Sequence, residues 1–275
     1  VSAVLDLTNP ESEKWFKGIL NNLITEFGVD GFKLDAGDGR FYKGIKSLKK
    51  VNPNTHTELF AKIGLSYPYN EYRATWKMGG QPLVQRLHDK SHDWGDLKKL
   101  IPHMLLEGIM GYPFSCPDMI GGGQFTSFLD DAPIDQELVV RSTQVHALMP
   151  MMQFSVAPWR ILDERHFKAV LDAVNLRNKF KETILNLAKK ASTNGEPIVR
   201  SMEYVFPHKG YVDITDQFML GNSILVAPYL SKGEGSRKVV LPKGTWKSDT
   251  GKVYKGGKTI TINVSLTRLP YFVKE

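Results

Sequence analysis

Hydrophobic positions along the first two thirds of the chain alternate between two patterns. Short apolar runs of strand length, such as 3–7 and 29–34, are separated by longer stretches in which apolar residues recur every three or four positions. Pro10 lies in a typical helix start, and Gly28 is a typical helix end. Residues 3–35 are therefore predicted to form a β-α-β unit with parallel strands and a right-handed crossover.

The same two patterns predict the elements that follow. Strands are expected at 71–75, 83–87 and 108–114, and helices at 58–63, 94–106, 135–149 and 163–191. From Gly195 onward, short alternating runs broken by Gly, Pro and Asn replace the helical period, which predicts an antiparallel β-sandwich. We therefore expect an α/β domain over residues 1–192 and an all-β domain over residues 193–275.

Composition excludes several classes of protein. Of the 275 residues, 41% are hydrophobic and 24% are charged, which is typical of a globular chain and not of a disordered one. There is no apolar run of the roughly 18 residues that a membrane-spanning helix needs, so we expect no membrane partner. The net charge of +7 is spread along the chain without an aromatic-basic motif, so we expect no nucleic-acid partner.

Neither the cysteine content nor the start of the sequence indicates a cellular compartment. The single cysteine, Cys116, excludes an intrachain disulfide and does not indicate a compartment. The chain begins at Val1 without an initiator methionine, so we expect it to be a C-terminal piece of a longer protein. The localisation is therefore unknown, and a secreted or periplasmic location is compatible with the sequence.

Charged residues follow the predicted strands. Asp35, Arg73, Asp89 and Asp118 all fall in β-α loops, so parallel strands would bring them to one rim. Lys33 shares a strand face with Asp35, because side chains alternate with period two. Asp35 alone could equally cap a helix or close a turn. Two carboxyl groups on one rim suit glycoside hydrolysis, because its oxocarbenium-like transition state needs one ionised and one protonated carboxyl group.

Several motifs resemble glycoside hydrolase family 31, the retaining α-glucosidase, α-xylosidase and α-galactosidase group, and the resemblance runs essentially end to end. Residues 31–38 resemble the nucleophile motif, and residues 114–122 resemble the substrate-pocket loop with Met119 as an extra residue. Four later stretches also match: 195–200, 217–221, 224–228 and 241–246. The resemblance implies a (β/α)8 TIM barrel followed by a β-sandwich. Only about five or six strands can be counted before the sandwich, so we expect a partial barrel that contains the later strands.

The resemblance also implies roles for individual residues. Asp35 would be the nucleophile and Asp89 the general acid/base, with carboxyl groups about 5–5.5 Å apart in a retaining enzyme. Asp93 is an alternative for the acid, and Asp38 is expected to hold the loop. The substrate-binding residues implied on the same rim are Lys33, Arg73 and Asp118.

The sequence departs from the family pattern at two places. Arg86 stands three residues before Asp89, where many members carry Trp-x-Gly-Asp, and is either a sugar contact or a rim salt bridge. Gln153 and Ser155 occupy positions where α-glucosidases carry Arg and His. Hydrogen bonds in the pocket decide which epimer fits. The pattern resembles the α-galactosidase-type branch, which includes myogenesis-regulating-glycosidase-like proteins, and implies a preference for α-galactosides over α-glucosides or α-xylosides.

Aromatic residues and histidines complete the candidate site. Trp76, Trp94 and Trp159 are possible sugar-stacking platforms, although helical spacing favours core packing for Trp94. His88 and His92 could orient Asp89 or belong to the surface. No spacing of ligands indicates zinc, so we expect neither a metal nor a cofactor.

The sequence thus predicts a retaining, exo-acting α-glycoside hydrolase that binds an α-linked oligosaccharide or glycoside. Two alternatives stay open: a catalytically incompetent carbohydrate-binding fragment of such an enzyme, and an α-transglycosidase. An unpaired edge of the first barrel strand also predicts a homodimer, or weak activity of the chain alone. A chain that is a clean monomer in light scattering and shows full turnover in an activity assay would contradict that prediction.

Overall fold

A computed structural model describes residues 3–123 and 134–275 of the chain. None of the helices in these two ranges is long and apolar enough to cross a membrane. Contacts divide the chain into two compact units, residues 1–88 and 89–275. Each unit is described by itself.

The first unit contains a parallel sheet and two helices. Its elements are α1 (Pro10–Phe27), β1 (Gly31–Leu34), a 3-10 turn (Gly39–Tyr42), α2 (Pro53–Gly64), β2 (Tyr69–Tyr72) and β3 (Val84–Arg86). As predicted, the Asn9 side chain caps α1, and Gly28 ends it with a left-handed φ of 65°. β1, β2 and β3 pair in parallel in that order, so residues that follow them emerge at one edge of the sheet.

Two strand predictions in this unit are wrong in detail. Residues 3–7 form no strand, because the Asp6 carboxylate accepts hydrogen bonds from the backbone N–H groups of Thr8 and Leu48 and turns the segment. The predicted β-α-β unit therefore lacks its first strand. β2 ends at Tyr72 and not at Thr75, because the carbonyl of Arg73 accepts a hydrogen bond from the Gln85 side chain instead of continuing the ladder.

The second unit begins with helices and short strands. Its elements up to residue 194 are α3 (Trp94–Ile109), β4 (Ser115–Cys116), β5 (Met119–Ile120), α4 (Gln136–Ala147), β6 (Gln153–Phe154), α5 (Pro158–Ile161) and α6 (Glu164–Asn194). β5 and β6 are parallel, and α4 packs on α6 through Val139, Val140, Ala169 and Val170. The strand predicted at 108–114 is wrong. The apolar stripe of α3 extends the helix to Ile109, and the chain then turns at Gly111, whose φ is 90°.

Antiparallel strands form the rest of the second unit, as predicted. They are β7 (Val199–Arg200), β8 (Phe218–Leu220), β9 (Ile224–Val226), β10 (Gly235–Leu241), β11 (Thr245–Ser248), β12 (Val253–Lys255), β13 (Lys258–Val264) and β14 (Tyr271–Lys274), with the short helix α7 (Met202–Val205) after β7. Six strands form one sheet in the order β12-β11-β14-β9-β8-β7, and β10 pairs with β13 in a second. Side chains from both sheets share one core around the fully buried Trp246.

One face of α1 is apolar and exposed. Trp15, Ile19, Leu23 and Phe27 recur every four residues, and the exposed fractions of Trp15 and Phe27 are 60% and 73%. Such a stripe is typical of a helix face that packs on another surface. Self-association of the chain stays a prediction.

Candidate active site

Asp35 lies directly after β1, where the backbone leaves the strand abruptly. Ala36 and Gly37 adopt left-handed φ angles of 64° and 78°. Thr57 Oγ1 donates a 2.7 Å hydrogen bond to the Gly37 carbonyl, and a Cβ at Gly37 would lie 2.4 Å from the Phe60 ring. These contacts fix the direction in which Asp35 leaves the sheet.

Two arginines from the other strands hold the Asp35 carboxylate. Arg73 follows β2, and Arg86 is the last residue of β3. Asp35 Oδ1 lies 3.5 Å from Arg73 Nη1 and 3.1 Å from Arg86 Nη2. The side chains of Arg73 and Arg86 are only 11% and 2% exposed, whereas that of Asp35 is 54% exposed. The carboxylate is therefore anchored by buried cations and remains accessible to a ligand.

Further ion pairs extend this network along the sheet. Lys33 is the register partner of Glu71 on β2, and Lys33 Nζ lies 3.1 Å from Glu71 Oε1. The same Glu71 oxygen lies 3.7 Å from Arg86 Nε. Asp38 Oδ2 accepts a 2.9 Å hydrogen bond from Arg73 Nη2, as expected for a residue that holds the loop. Arg86 therefore takes part in buried salt bridges, and its role as a sugar contact stays a prediction.

Sequence reasoning missed two members of this network, Glu71 and Gln85. Gln85 Nε2 donates 2.8 Å hydrogen bonds to the carbonyls of both Arg73 and Arg86, so it fixes the backbone that carries both guanidinium groups. Their positions in the sequence could have indicated both residues. Glu71 lies two residues before Arg73, and Gln85 is a polar residue inside a predicted strand. A buried amide is expected to be hydrogen-bonded, which makes it a candidate for support of a site.

In the second unit, Asp118 is fully buried and has a left-handed φ of 71°. Asp118 Oδ2 accepts a 2.7 Å hydrogen bond from the backbone N–H of Lys90. His146 on α4 lies with Nε2 3.3 Å from the Asp118 carbonyl and with Nδ1 2.7 Å from the Ser142 carbonyl. Burial lowers the pKa of His146 to about 4, so its imidazole is neutral at neutral pH. Asp118 is therefore held mainly by backbone groups.

The glycines after Asp118 pack on the backbone next to Asp89. A Cβ at Gly122, whose φ is 88°, would lie 2.6 Å from the Lys90 carbonyl. A Cβ at Gly123 would lie 2.7 Å from Asp118 Oδ2 and 3.0 Å from Asp89 Cα. Because no side chain fits at either position, the loop can approach this closely only with glycine. The loop that carries Asp118 thus sets the backbone position of Asp89.

Gln153 and Ser155 lie beside the same loop. Met119, the extra residue of the motif, is the register partner of Gln153 in the β5–β6 ladder. Ser155 donates two hydrogen bonds to the Ile120 carbonyl, from its backbone N–H at 3.1 Å and from its hydroxyl at 2.8 Å. Arg177 on α6 donates to three carbonyls that precede β6, those of Ala147, Met149 and Pro150. Ser155 therefore supports the pocket loop, and α6 fixes the turn that presents Gln153.

A buried titratable cluster that the sequence did not indicate lies behind Lys90. Lys90 Nζ is 3.0 Å from His103 Nδ1, and Glu107 lies one turn further along α3. Burial lowers the pKa of Lys90 and raises the pKa of Glu107 to about 8. Glu107 Oε2 is buried without a hydrogen-bond partner in the described part of the chain.

The remaining candidates have more ordinary environments. Asp93 Oδ1 accepts a 2.8 Å hydrogen bond from the Asp96 N–H and caps α3, which is a structural role for the alternative acid. Trp94 is half-buried, and its Nε1 donates to Asp135 at 3.1 Å. Trp76 and Trp159 are 43% and 70% exposed and are accessible to a ligand. Burial lowers the pKa of His92, and His88 is exposed.

Residues 3–123 and 134–275 contain no group of three or more His, Cys, Asp or Glu residues that could hold a metal ion.

Two family models match consecutive parts of the chain. The model for the glycosyl hydrolases family 31 TIM-barrel domain matches residues 1–185, and that for the glycosyl hydrolase family 31 C-terminal domain matches residues 195–275. The predicted fold class, a partial barrel followed by an antiparallel β domain, is confirmed. The predicted boundary between residues 192 and 193 stays a prediction.

Known proteins are similar over nearly the whole chain. The myogenesis-regulating glycosidase of Mus musculus is 32% identical over 99% of this chain and 40% of its own length. The isomaltosyltransferase of Sporosarcina globispora is 28% identical over 99% of this chain and 27% of its own length. A solved structure of a GH31 family sulfoquinovosidase from E. rectale has the same fold, with a TM-score of 0.85 and 24% identity over 99% of this chain and 44% of that one. The chain spans at most about 45% of the length of the curated relatives it matches over most of its residues.

These matches agree with the motif resemblance, which also runs essentially end to end. The chain belongs to glycosyl hydrolase family 31.

Proposed function

We propose that the protein is a retaining, exo-acting α-glycoside hydrolase that removes a terminal α-linked hexose by double displacement, with α-galactosides preferred. The observation that carries the proposal is the environment of Asp35. An accessible carboxylate at a strand end, anchored by two buried guanidinium groups, is suited to attack a carbon atom that a ligand presents. Family membership supports the same reaction class.

In the first step, an Asp35 oxygen attacks the anomeric carbon of the terminal sugar. The bond between that carbon and the leaving oxygen breaks, and Asp89 gives its proton to the departing oxygen. The product is a glycosyl ester on Asp35. Arg73 and Arg86 limit rotation of the carboxylate, so that its reacting oxygen faces the sugar.

In the second step, water attacks the anomeric carbon of the ester. Asp89, now a carboxylate, takes a proton from that water, and the bond to Asp35 breaks with its electrons returning to the carboxylate. Two inversions give a product with the same anomeric configuration as the substrate.

Binding of the terminal sugar is assigned to a small set of polar and aromatic groups. Gln153 would form hydrogen bonds with sugar hydroxyls, and Trp76 would stack on the apolar face of a pyranose ring. Asp118 is fully buried, so it would contribute to sugar binding by orienting its loop. Lys33 would contribute to sugar binding indirectly, through its ion pair with Glu71. Gln153 and Ser155 stand where α-glucosidases carry Arg and His, so the pocket would lack that cation and that imidazole. This loss supports the preference for α-galactosides.

The test is an assay of the protein at full length with nitrophenyl α-galactoside, α-glucoside and α-xyloside, with the first sugar product followed by NMR. We expect the highest kcat/KM with the α-galactoside and release of the α-anomer first. Release of the β-anomer would contradict double displacement. A higher kcat/KM with either other substrate would contradict the sugar preference and leave the reaction class intact.

Transglycosylation is a second candidate, because one relative is named an isomaltosyltransferase. An acceptor sugar would then replace water in the second step. Products analysed at increasing acceptor concentration distinguish the two activities. A catalytically incompetent carbohydrate-binding protein would release no sugar from any of the three substrates, whereas it would still bind them.

A further inference from the structure

A polar cavity lies in the connection between β1 and α2. It has a volume of about 540 Å³, and the 3-10 turn, the loop over residues 44–51 and the first turns of α2 form its walls. Its charged and titratable lining residues are Lys46, Lys50, His56 and Tyr42. Among the residues that the structure describes, no carboxylate lines the cavity. Neither Lys46 nor Lys50 has an acidic partner within the described residues of the chain.

His56 is the feature that distinguishes this cavity from an ordinary basic surface. The side chain is 2% exposed, and its ring stacks on Tyr42 with a centroid distance of 4.7 Å and an interplanar angle of 1°. Its Nδ1 atom is buried and has no hydrogen-bond partner in residues 3–123 and 134–275. A buried polar atom without a partner is costly unless something binds it.

The walls of the cavity are held in place by hydrogen bonds. The Asp6 carboxylate accepts from the Leu48 N–H at 2.7 Å, and Thr8 Oγ1 accepts from the Lys49 N–H at 3.0 Å. Ser47 Oγ donates to the Lys49 carbonyl at 2.8 Å. These bonds attach the loop backbone to Asp6 and Thr8, and the Asp6 carboxylate, whose charge also acts on His56, forms no ion pair with Lys46 or Lys50 in the described residues.

We propose that this cavity binds a tetrahedral oxyanion, that is, a phosphate or sulfate group. Lys46 and Lys50 supply the charge, and the His56 imidazole supplies a fixed donor among them. Inorganic phosphate and a phosphate or sulfate ester on a sugar share this chemistry. The site lies in the same strand-to-helix connection as Asp35, and Thr57, next to His56, holds the Gly37 carbonyl. A bound oxyanion would therefore stabilise the loop that carries Asp35.

The experiment measures binding by titration calorimetry of the full chain with sodium phosphate and sodium sulfate, against sodium chloride at matched ionic strength. We expect saturable binding of both oxyanions and none of chloride. A double variant Lys46→Ala, Lys50→Ala should weaken affinity by about tenfold or more, because charge-assisted hydrogen bonds to the ligand are lost.

The matched control is Lys43→Ala, Lys49→Ala, which removes the same charge from the same loop at side chains that do not line the cavity. It should change affinity by less than about threefold, since charges that do not contact the ligand act on it only through screening solvent. Equal losses in the two double variants would show non-specific attraction and overturn the proposal. Absence of saturable binding to the parent chain would also overturn it.

His56→Gln tests the imidazole and should weaken binding of the oxyanion. Its circular dichroism and unfolding midpoint, compared with those of the parent protein, show whether the variant is folded. If that variant does not fold, Lys50→Ala alone carries the test.

Glucose 6-phosphate and glucose 6-sulfate, titrated beside the inorganic ions, distinguish an oxyanion on a sugar from a free ion as the ligand. Tighter binding of the esters indicates a sugar-borne group, and equal affinity indicates a free ion. Tighter binding of unsubstituted glucose than of any oxyanion would contradict the proposal.

Discussion

The loops that carry Asp35 and Asp118 both follow short strands, yet they hold their carboxylates in opposite ways. Asp35 is more than half exposed, and side chains from two other strands anchor it. Asp118 is fully buried, and a backbone N–H and glycine-rich chain surround it. The two environments suit different tasks: an accessible group can form and break a bond, whereas a buried group held by backbone can orient a ligand or a loop.

The difference has a physical cause in the sequence. Arginines reach Asp35 with long side chains, so the backbone can stay distant and leave the carboxylate open. Around Asp118, Gly122 and Gly123 let the backbone come close to the carboxylate and to Asp89 Cα, where a Cβ at Gly123 would lie 2.7 Å and 3.0 Å away. Side-chain support tolerates conservative substitution, while backbone support tolerates almost none.

The largest effect is expected at the exposed carboxylate. Asp35→Asn should lower kcat by about 10⁴-fold or more, because the amide cannot attack the anomeric carbon, while sugar binding survives. Turnover and equilibrium binding of the same glycoside measure the two quantities. The control is Asp30→Asn. Asp30 is an exposed acid directly before the first residue of β1, so this variant should retain activity. Activity that survives in Asp35→Asn would remove the nucleophile assignment.

Much of the fold could be predicted, because periodicity marks long elements clearly. The stripes of α1, α3 and α6 and the alternation in β10 and β13 appear where the sequence indicates them. The failures are short elements. Residues 3–7 read as a strand from apolar content, but the Asp6 side chain redirects the backbone. The sequence predicted a strand at residues 108–114 because the apolar residues at the end of α3 continue into the turn.

The site was predictable where a charged residue follows a strand, and not where support comes from across the sheet. Asp35 and Arg73 directly follow β1 and β2 in the sequence. Glu71 and Gln85 act through partners that are distant in the sequence, and the register that joins them exists only after the strands pair. The Lys90–His103 contact likewise depends on how α3 packs, which no local pattern encodes.

The second prediction tests backbone support. Gly123→Ala should destabilise the protein by about 2–4 kcal/mol and lower kcat/KM, because its Cβ would lie 2.7 Å from Asp118 Oδ2 and 3.0 Å from Asp89 Cα. Gly18→Ala is the matched control. That position lies inside α1 with nothing within 4 Å, so alanine should stabilise by about 0.5–1 kcal/mol. Denaturant unfolding gives both values, and equal behaviour of the two variants would contradict the clash.

The third prediction concerns the buried cluster that lies behind Lys90. Burial raises the pKa of Glu107 from 4.5 to about 8, so the folded state holds this proton more tightly than the unfolded state. Stability from this group is therefore fully present below about pH 4.5 and is lost as pH rises through 8, by roughly 1–4 kcal/mol. Glu107→Gln should flatten that decline. Unfolding free energies measured from pH 4.5 to 9 test it, and an unchanged slope in the variant would assign the decline to another group.

The smallest effect is expected at Asp38, which shares Arg73 with Asp35. Asp38→Asn removes a 2.9 Å contact to Arg73 Nη2 but leaves the buried guanidinium paired with Asp35 at 3.5 Å and the carbonyl of Arg73 bonded to Gln85. Because the side chain of Asp38 is partly exposed, the loss of stability should be about 1 kcal/mol or less, with a severalfold change in kcat. Arg73→Met removes both contacts and is the comparison. If Asp38→Asn lowers kcat as much as Arg73→Met, the loop depends on a single ion pair, and the idea that redundant side-chain contacts hold Asp35 is wrong.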